Sequence, residues 1–122
     1  MKHSCGALLY SFCPVTNQVG IVLGLEGHHW LPFKGCNNFK ESYEETAIRE
    51  IKEETCNLLH VKTVNLEHHF NSRNKHYHIG LCYTPFKILK KFDKARSMTT
   101  IKEYIEKKKI HFFSLDDIAN HK

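Results

Sequence analysis

At 122 residues, with 41% hydrophobic and 25% charged side chains, the chain has the size and composition of one compact domain spanning residues 1–122, with a real core but no room for a second catalytic unit. The formal charge is +5, and no apolar run is long enough to span a bilayer, which excludes a membrane role for this stretch. The N-terminal "MKHSCGALLYSF" lacks the longer apolar core and small-residue cleavage site of a signal peptide, so an intracellular, cytoplasmic location is expected.

Cys5, Cys13, Cys36, Cys56 and Cys82 form an odd set without a C-x-x-C pair, which argues against a disulfide framework or a zinc knuckle. Residues 4–12 and 18–25 read as two strands around the turn "CPVTNQ", a hairpin. "EGHHWLPFKGCNNFKE" has Gly, Pro and Asn breaking any period and reads as a long loop. A helix follows, opened by Ser42 and Glu45 as a capping box. "HVKTVNLEHHF" and "KHYHIGLCYT" alternate as strands joined by the turn "NSRN", a second hairpin. After Pro85 the signals are weak to about Ser97; "TTIKEYIEKKK" reads as a short helix or as a strand with a loop, and "IHFFSLDDIANH" as a closing strand running into a helix. This order predicts an α/β (α+β) fold, a mixed sheet with a helix on each side.

Charge is distributed unevenly. Residues 41–54 hold six of the thirteen acids, whereas residues 87–109 hold nine Lys and Arg against Asp93, Glu103 and Glu106. The basic segment suits a polyanion such as RNA, a nucleotide or an inositol polyphosphate, or is simply a solvated face. On the acidic helix Glu50, Glu53 and Glu54 share a stripe beside an apolar one formed by Ala47, Ile51 and Leu58. Like charges at these spacings cost a few tenths of a kcal/mol per pair, unless a cation sits among them. A hard divalent ion, Mg²⁺ or Mn²⁺, holding a phosphate chain is the natural candidate, with Arg49 steadying Glu50. An exposed acidic face supported by Glu45 and Arg49 is the plain alternative.

The spacing favours the ion. "GCNNFKESYEETAIREIKEETCN" resembles the Nudix box, G-x5-E-x7-R-E-U-x-E-E-x-G-U, with Gly35, Glu41, Arg49, Glu50, Ile51, Glu53 and Glu54 in register. "WLPFKG" is similar to the W-x-x-P-K-G that precedes the box, with Pro32 one place early and Phe33 where proline is usual, and "HFFSLDDI" is similar to the family's closing W-F-x-L-D-E-L. The chain is also loosely similar to small Nudix proteins of large DNA viruses. Cys56 and Asn57 depart from the box's final glycine and aliphatic residue; Asn57 is expected to take the left-handed role and Leu58 the aliphatic one.

The resemblance implies a Nudix-type α/β/α sandwich and a Mg²⁺- or Mn²⁺-dependent hydrolase that cleaves a pyrophosphate bond in a nucleoside-diphosphate-linked, phosphorylated nucleotide-type substrate. It implies Glu53 and Glu54 as metal ligands, Glu50 as ligand or base, Arg49 as its orienting partner, and the Lys34 carbonyl in the metal shell. Glu41 is expected to support the loop and Gly35 to permit a conformation that a side chain would obstruct. A late-loop acid is expected as well: Glu106 by its spacing from Phe112, with Glu103 behind it. Lys34, Arg73 and Lys75 are expected to grip phosphate or base. His68, His69, His76 and His78 match no closed zinc site. Trp30 and Tyr83 read as core residues or as platforms for a base. Capped RNA, a diphosphoinositol polyphosphate, a dinucleoside polyphosphate, ADP-ribose or a damaged nucleoside triphosphate are the substrates in view, with a noncatalytic nucleotide- or RNA-binding Nudix module as the other class.

Overall fold

The computed structural model describes residues 2–98 and 106–120. Strands β1 (Lys2–Cys13) and β2 (Gln18–Glu26) form the first hairpin, pairing antiparallel with Leu9 opposite Val22. Its turn is closed by the Asn17 N–H donating to the Cys13 carbonyl at 2.8 Å, with Asn17 in the left-handed region at φ 58°. Asparagine tolerates that conformation better than most residues.

The stretch read as one long loop holds two short strands, β3 (His29–Leu31) and β4 (Phe33–Cys36). Pro32 separates them and lies outside both, so it need supply no ladder hydrogen bond. β3 pairs with β2, and β4 pairs with the start of β1, Gly35 opposite Cys5.

Helix α1 (Tyr43–Glu54) begins where the capping box predicts: the Ser42 side chain accepts from the Glu45 N–H and the Glu45 carboxylate accepts from the Ser42 N–H. Its buried positions include Ala47 and Ile51. Both Cys56 (φ 53°) and Asn57 (φ 63°) are left-handed, so Cys56 adopts the conformation of the glycine it replaces and Asn57 continues it. The Asn57 N–H donates to the Lys52 carbonyl at 2.8 Å, which closes the helix end. Leu58 packs against the core.

The second hairpin is β5 (His68–Ser72) and β6 (Lys75–Tyr83), antiparallel, with a two-residue turn of Arg73 (φ 49°) and Asn74 (φ 64°). Two positive φ values in sequence suit the right-handed twist of the flanking strands. Residues 60–67, expected within the first of these strands, form none. That segment crosses the sheet instead, with Val64 buried and its N–H given to Glu44. A Cβ on Gly80 would lie 2.6 Å from the Asn65 carbonyl oxygen, so the crossing needs a residue without a side chain beneath it.

β6 runs parallel to β1, while β7 (Ile110–Ser114) pairs antiparallel with the outer side of β2. The sheet is therefore mixed, in the order β3-β2-β1-β6-β5, with β4 on β1 and β7 on β2. Residues 88–98, where the signals were weak, form helix α2 (Ile88–Met98), which buries Ile88 and Phe92 one turn apart. Ala47, Ile51, Ile88 and Phe92 join Cys5, Ala7, Leu9 and Val22 in one core on one face of the sheet. Alternation puts Tyr10, Ile21, Tyr83 and Phe113 on the other face, where the short α3 (Leu115–Asn120) lies. Trp30 and Tyr83 are outside the buried core: Trp30 meets Phe113 edge-on and Tyr83 is 53% exposed. Among the described residues no helix is long and apolar enough to cross a membrane.

Candidate active site

β4 and α1 meet at one end of the sheet, and their side chains form an open cleft of about 480 Å³. Glu26, Lys34, Gly35, Arg49, Glu50, Lys75 and Glu106 all line it. Arg49 is the hub of the acidic helix. Its Nε and Nη2 hold the two Glu41 oxygens at 2.7 and 2.9 Å, its Nη1 donates to Glu50 at 2.8 Å and to Glu53 at 3.3 Å, and Nη2 also reaches the Cys36 carbonyl at 3.1 Å. This planar fork is what arginine offers and lysine does not. The Arg49 hydrogen bond and the Thr46 hydroxyl hold the Glu41 carboxyl down to about 2 against partial burial. Glu41 also accepts from the Asn38 N–H at 3.3 Å, tying helix to loop.

The three helix acids differ sharply in environment. Glu53 is exposed, its partner in the structure being Arg49. Glu50 is half-buried and faces the cleft; burial pushes its carboxyl up, the Arg49 charge opposes this, and Glu53 and Glu106 add to it. Glu54 is 5% exposed, which rules out a wholly exposed acidic face: α1 turns its last acid inward beneath β4. Glu54 Oε1 accepts from the Lys34 N–H at 2.8 Å, and Oε2 is buried with no hydrogen-bond partner. Burial pushes this carboxyl up to about 9, with Lys107 opposing and the facing Glu106 and Glu26 adding to the rise.

Gly35 owes its place to Glu50. A Cβ there would stand 2.0 Å from Glu50 Cδ, and no left-handed backbone is involved. The residue clears space for a carboxylate rather than permitting an unusual loop.

Glu26, Glu54 and Glu106 bring carboxylate oxygens within 4.8 Å of one another, an arrangement that could hold a metal ion. A buried carboxylate oxygen without a partner, flanked by two more carboxylates, is at home only beside a cation or a proton, and an all-oxygen donor set suits Mg²⁺ or Mn²⁺. The chain's residues therefore fit the divalent ion that the sequence pattern implies.

Of the residues expected at the site, Lys34, Gly35, Arg49, Glu50, Lys75 and Glu106 share the cleft, Glu54 lies beneath it, and Glu41 and Glu53 are reached through Arg49. Arg73 sits in the exposed hairpin turn and is not part of the lining. Glu103 lies outside the described residues. Two participants were not anticipated. Glu26 ends β2 with nothing local to mark it, and Lys107, read as part of a basic surface track, is fully buried against Glu26 at 2.8 Å. That removes Lys107 from any nucleic-acid surface. The histidines form a separate stack, in which His78 contacts His3 and His69 at 2.9 and 2.7 Å beneath Tyr43.

No protein-family model and no curated protein sequence matches the chain. Solved structures do. A MutT/nudix family protein from Enterococcus faecalis aligns over 93% of the chain at 18% identity with a TM-score of 0.66, and the chain spans 43% of that protein. The Ap4A hydrolase of C. elegans, solved as a binary complex, aligns over 97% of the chain and 83% of its own at 17% identity and TM-score 0.65. The NUDIX domain of Shewanella oneidensis NrtR, complexed with ADP ribose, aligns over 98% and 77% at 15% identity and TM-score 0.65. With the box residues gathered on β4 and α1 as described, the chain has the Nudix hydrolase fold.

Proposed function

We propose that the chain is a Mg²⁺- or Mn²⁺-dependent hydrolase of a pyrophosphate bond in a nucleoside-diphosphate-linked substrate. The observation that carries this reading is the unpartnered, buried Glu54 Oε2 beside Glu26 and Glu106, at a cleft that also presents Glu50, Lys34 and Lys75. Glu53, Glu54 and the Lys34 carbonyl are the proposed ligands, with Glu106 as the late acid; of the two roles open to Glu50, ligand or base, its raised proton affinity favours the base. The ion supplies Lewis-acid stabilisation of phosphoryl oxygens and acidifies water. Arg49 holds Glu50 against the β4 backbone, and Glu50, whose burial raises its proton affinity, receives the proton of the attacking water. Lys34 and Lys75 neutralise the phosphate chain and orient it.

The C. elegans neighbour is titled an Ap4A hydrolase and the Shewanella domain was solved with ADP ribose, which supports a dinucleoside polyphosphate or nucleoside diphosphate sugar as substrate. Capped RNA rests on the exposed lysines of α2 with Lys108 and Lys109. The test is a panel of Ap4A, ADP-ribose, capped RNA and a diphosphoinositol polyphosphate, each with Mg²⁺, Mn²⁺ or chelator, read by released phosphate species. Metal-dependent turnover of one class is expected. Binding without turnover of any would overturn the hydrolase in favour of a binding module.

A further inference from the structure

Lys107 is a fully buried lysine whose charge is completely solvated by the protein. Its Nζ donates to Glu26 Oε1 at 2.8 Å, the Pro32 carbonyl at 2.9 Å and the Leu31 carbonyl at 3.4 Å, one acceptor for each ammonium hydrogen. Burying such an ion costs several kcal/mol unless its partners are in place, so the arrangement has to be built. It is built from four elements. The backbone of the segment continues the β2 pairing, with Lys108 N–H on the Leu25 carbonyl and Leu25 N–H on the Lys109 carbonyl. Arg96 of α2 donates to the Lys107 carbonyl at 3.1 Å. Phe33 of β4 offers its ring 5.2 Å from Nζ. Gly24 provides the passage: a Cβ there would lie 2.3 Å from Lys107 Cδ.

The end of this passage is the back of the carboxylate cluster. Glu26 faces Lys107 on one side and lies within 4.8 Å of Glu54 and Glu106 on the other. Two of the three ammonium acceptors are backbone carbonyls, so the charge keeps its position independently of Glu26. With a divalent ion bound the three carboxylates are ionised and, with the fixed ammonium, leave two negative charges, which the ion balances; without the ammonium a third negative charge would remain.

We infer that Lys107 is a positioning residue that holds Glu26 in the cluster and, as a permanent internal cation, makes the cluster hold its divalent ion less tightly than three bare carboxylates would. The inference rests on the metal-dependent reading above. It separates this site from one that recruits its full positive charge from solution: part of the charge is carried by the chain.

Manganese binding to the full chain tests it, measured as loss of the free Mn²⁺ electron paramagnetic resonance signal and yielding ions bound per chain and their affinity. Lys107→Met is expected to bind Mn²⁺ at least ~10-fold more tightly than wild type; an equal or weaker affinity overturns the inference. Circular dichroism shows whether that variant is folded. Should it not be, Glu26→Gln and the double variant Glu26→Gln/Lys107→Met decide: Mn²⁺ is expected to bind at least ~10-fold more weakly to the first than to the second, since only there does an unneutralised ammonium face it, and equal affinities overturn the inference. Wild-type protein that binds no Mn²⁺ overturns the metal-dependent reading itself, whereas wild-type binding with unaltered variants overturns only the role of Lys107.

Discussion

Gly35 and Glu50 compete for one volume: a Cβ on Gly35 would lie 2.2 and 2.3 Å from the two Glu50 carboxylate oxygens. Gly35 sits in β4 opposite Cys5, so any side chain there points into the cleft at the carboxylate. Gly35→Ala should therefore displace Glu50 by about 1 Å, enough to lower kcat about 100-fold when a base or ligand is misplaced. Far-ultraviolet circular dichroism should be unaltered. Activity within twofold of wild type would show that the Glu50 position is set elsewhere.

Glu54 and Glu53 are neighbours in sequence with opposite surroundings, and their amide variants should part company. Glu54→Gln replaces an unpartnered buried oxygen by an N–H donor facing the Glu26 and Glu106 carboxylates. In chelator it should melt several degrees above wild type, while hydrolysis is lost. In chelator Glu53→Gln gives up one exposed contact of Arg49, at 3.3 Å, so its melting temperature should stay within a degree or so, while hydrolysis falls with the loss of a proposed ligand. A Glu54→Gln protein less stable than wild type would mean that the unpartnered oxygen is no source of instability.

Lys75 lines the cleft and Arg73, two residues away, occupies the hairpin turn. Lys75→Ser should raise KM for a polyphosphate substrate about tenfold, as expected for one charged contact to phosphate. Arg73→Gly should leave kcat/KM within twofold and stabilise the fold slightly, because glycine accepts φ 49° without strain. Steady-state kinetics with both variants checks the pair; a large effect at Arg73 would extend the phosphate site onto the hairpin.

His78 carries a pH dependence of its own. Burial, then the neighbouring His69, His3 and His76, hold its imidazole below the ordinary value near 6.5; Tyr43 stacks on it, and its ring nitrogens contact His3 and His69. A base whose folded pKa is depressed contributes stability above its unfolded pKa and loses it as pH falls through the folded one. Between pH 7.5 and 5 the wild-type melting temperature should fall more than that of His78→Gln. Parallel curves would place the acid sensitivity elsewhere.

What the sequence reveals is governed by how local each interaction is. The capping box of Ser42 and Glu45 and the Arg49 pair with Glu50 lie within one helix, so spacing alone exposes them, whereas the stronger Arg49 hold on Glu41 depends on how the entry loop folds back. β3 and β4 are hidden because Pro32 interrupts the alternation that would show them, and α2 because Ile88 and Phe92 are its few apolar anchors among lysines. Glu26, Glu54 and Glu106 are assembled by sheet closure from distant parts of the chain, which no local pattern records. Lys107 stands in a run of three lysines, and only the space above Gly24 distinguishes the buried one from its exposed neighbours. The burial of Glu54 is hidden for a related reason: helical periodicity ranks residues around an axis but does not say where β4 lies against it.

β1 pairs with β6 along its length, with β2 through Leu9–Cys13 and with β4 through Ser4–Ala7, so the strand that carries Lys34 and Gly35 is anchored to the middle of the sheet. Among the described residues its only partner strand is β1, and α1 holds its other side through Glu54 and Arg49. The amide of Lys34, bonded to the buried Glu54 side chain, should exchange with solvent deuterium only when β4 and α1 part, whereas the amides of the β5 hairpin edge exchange through opening of the hairpin alone. The cleft thus lasts as long as β4 and α1 stay together, and a substitution that loosens that seam will shorten the lifetime of the site even where the rest of the sheet keeps its stability.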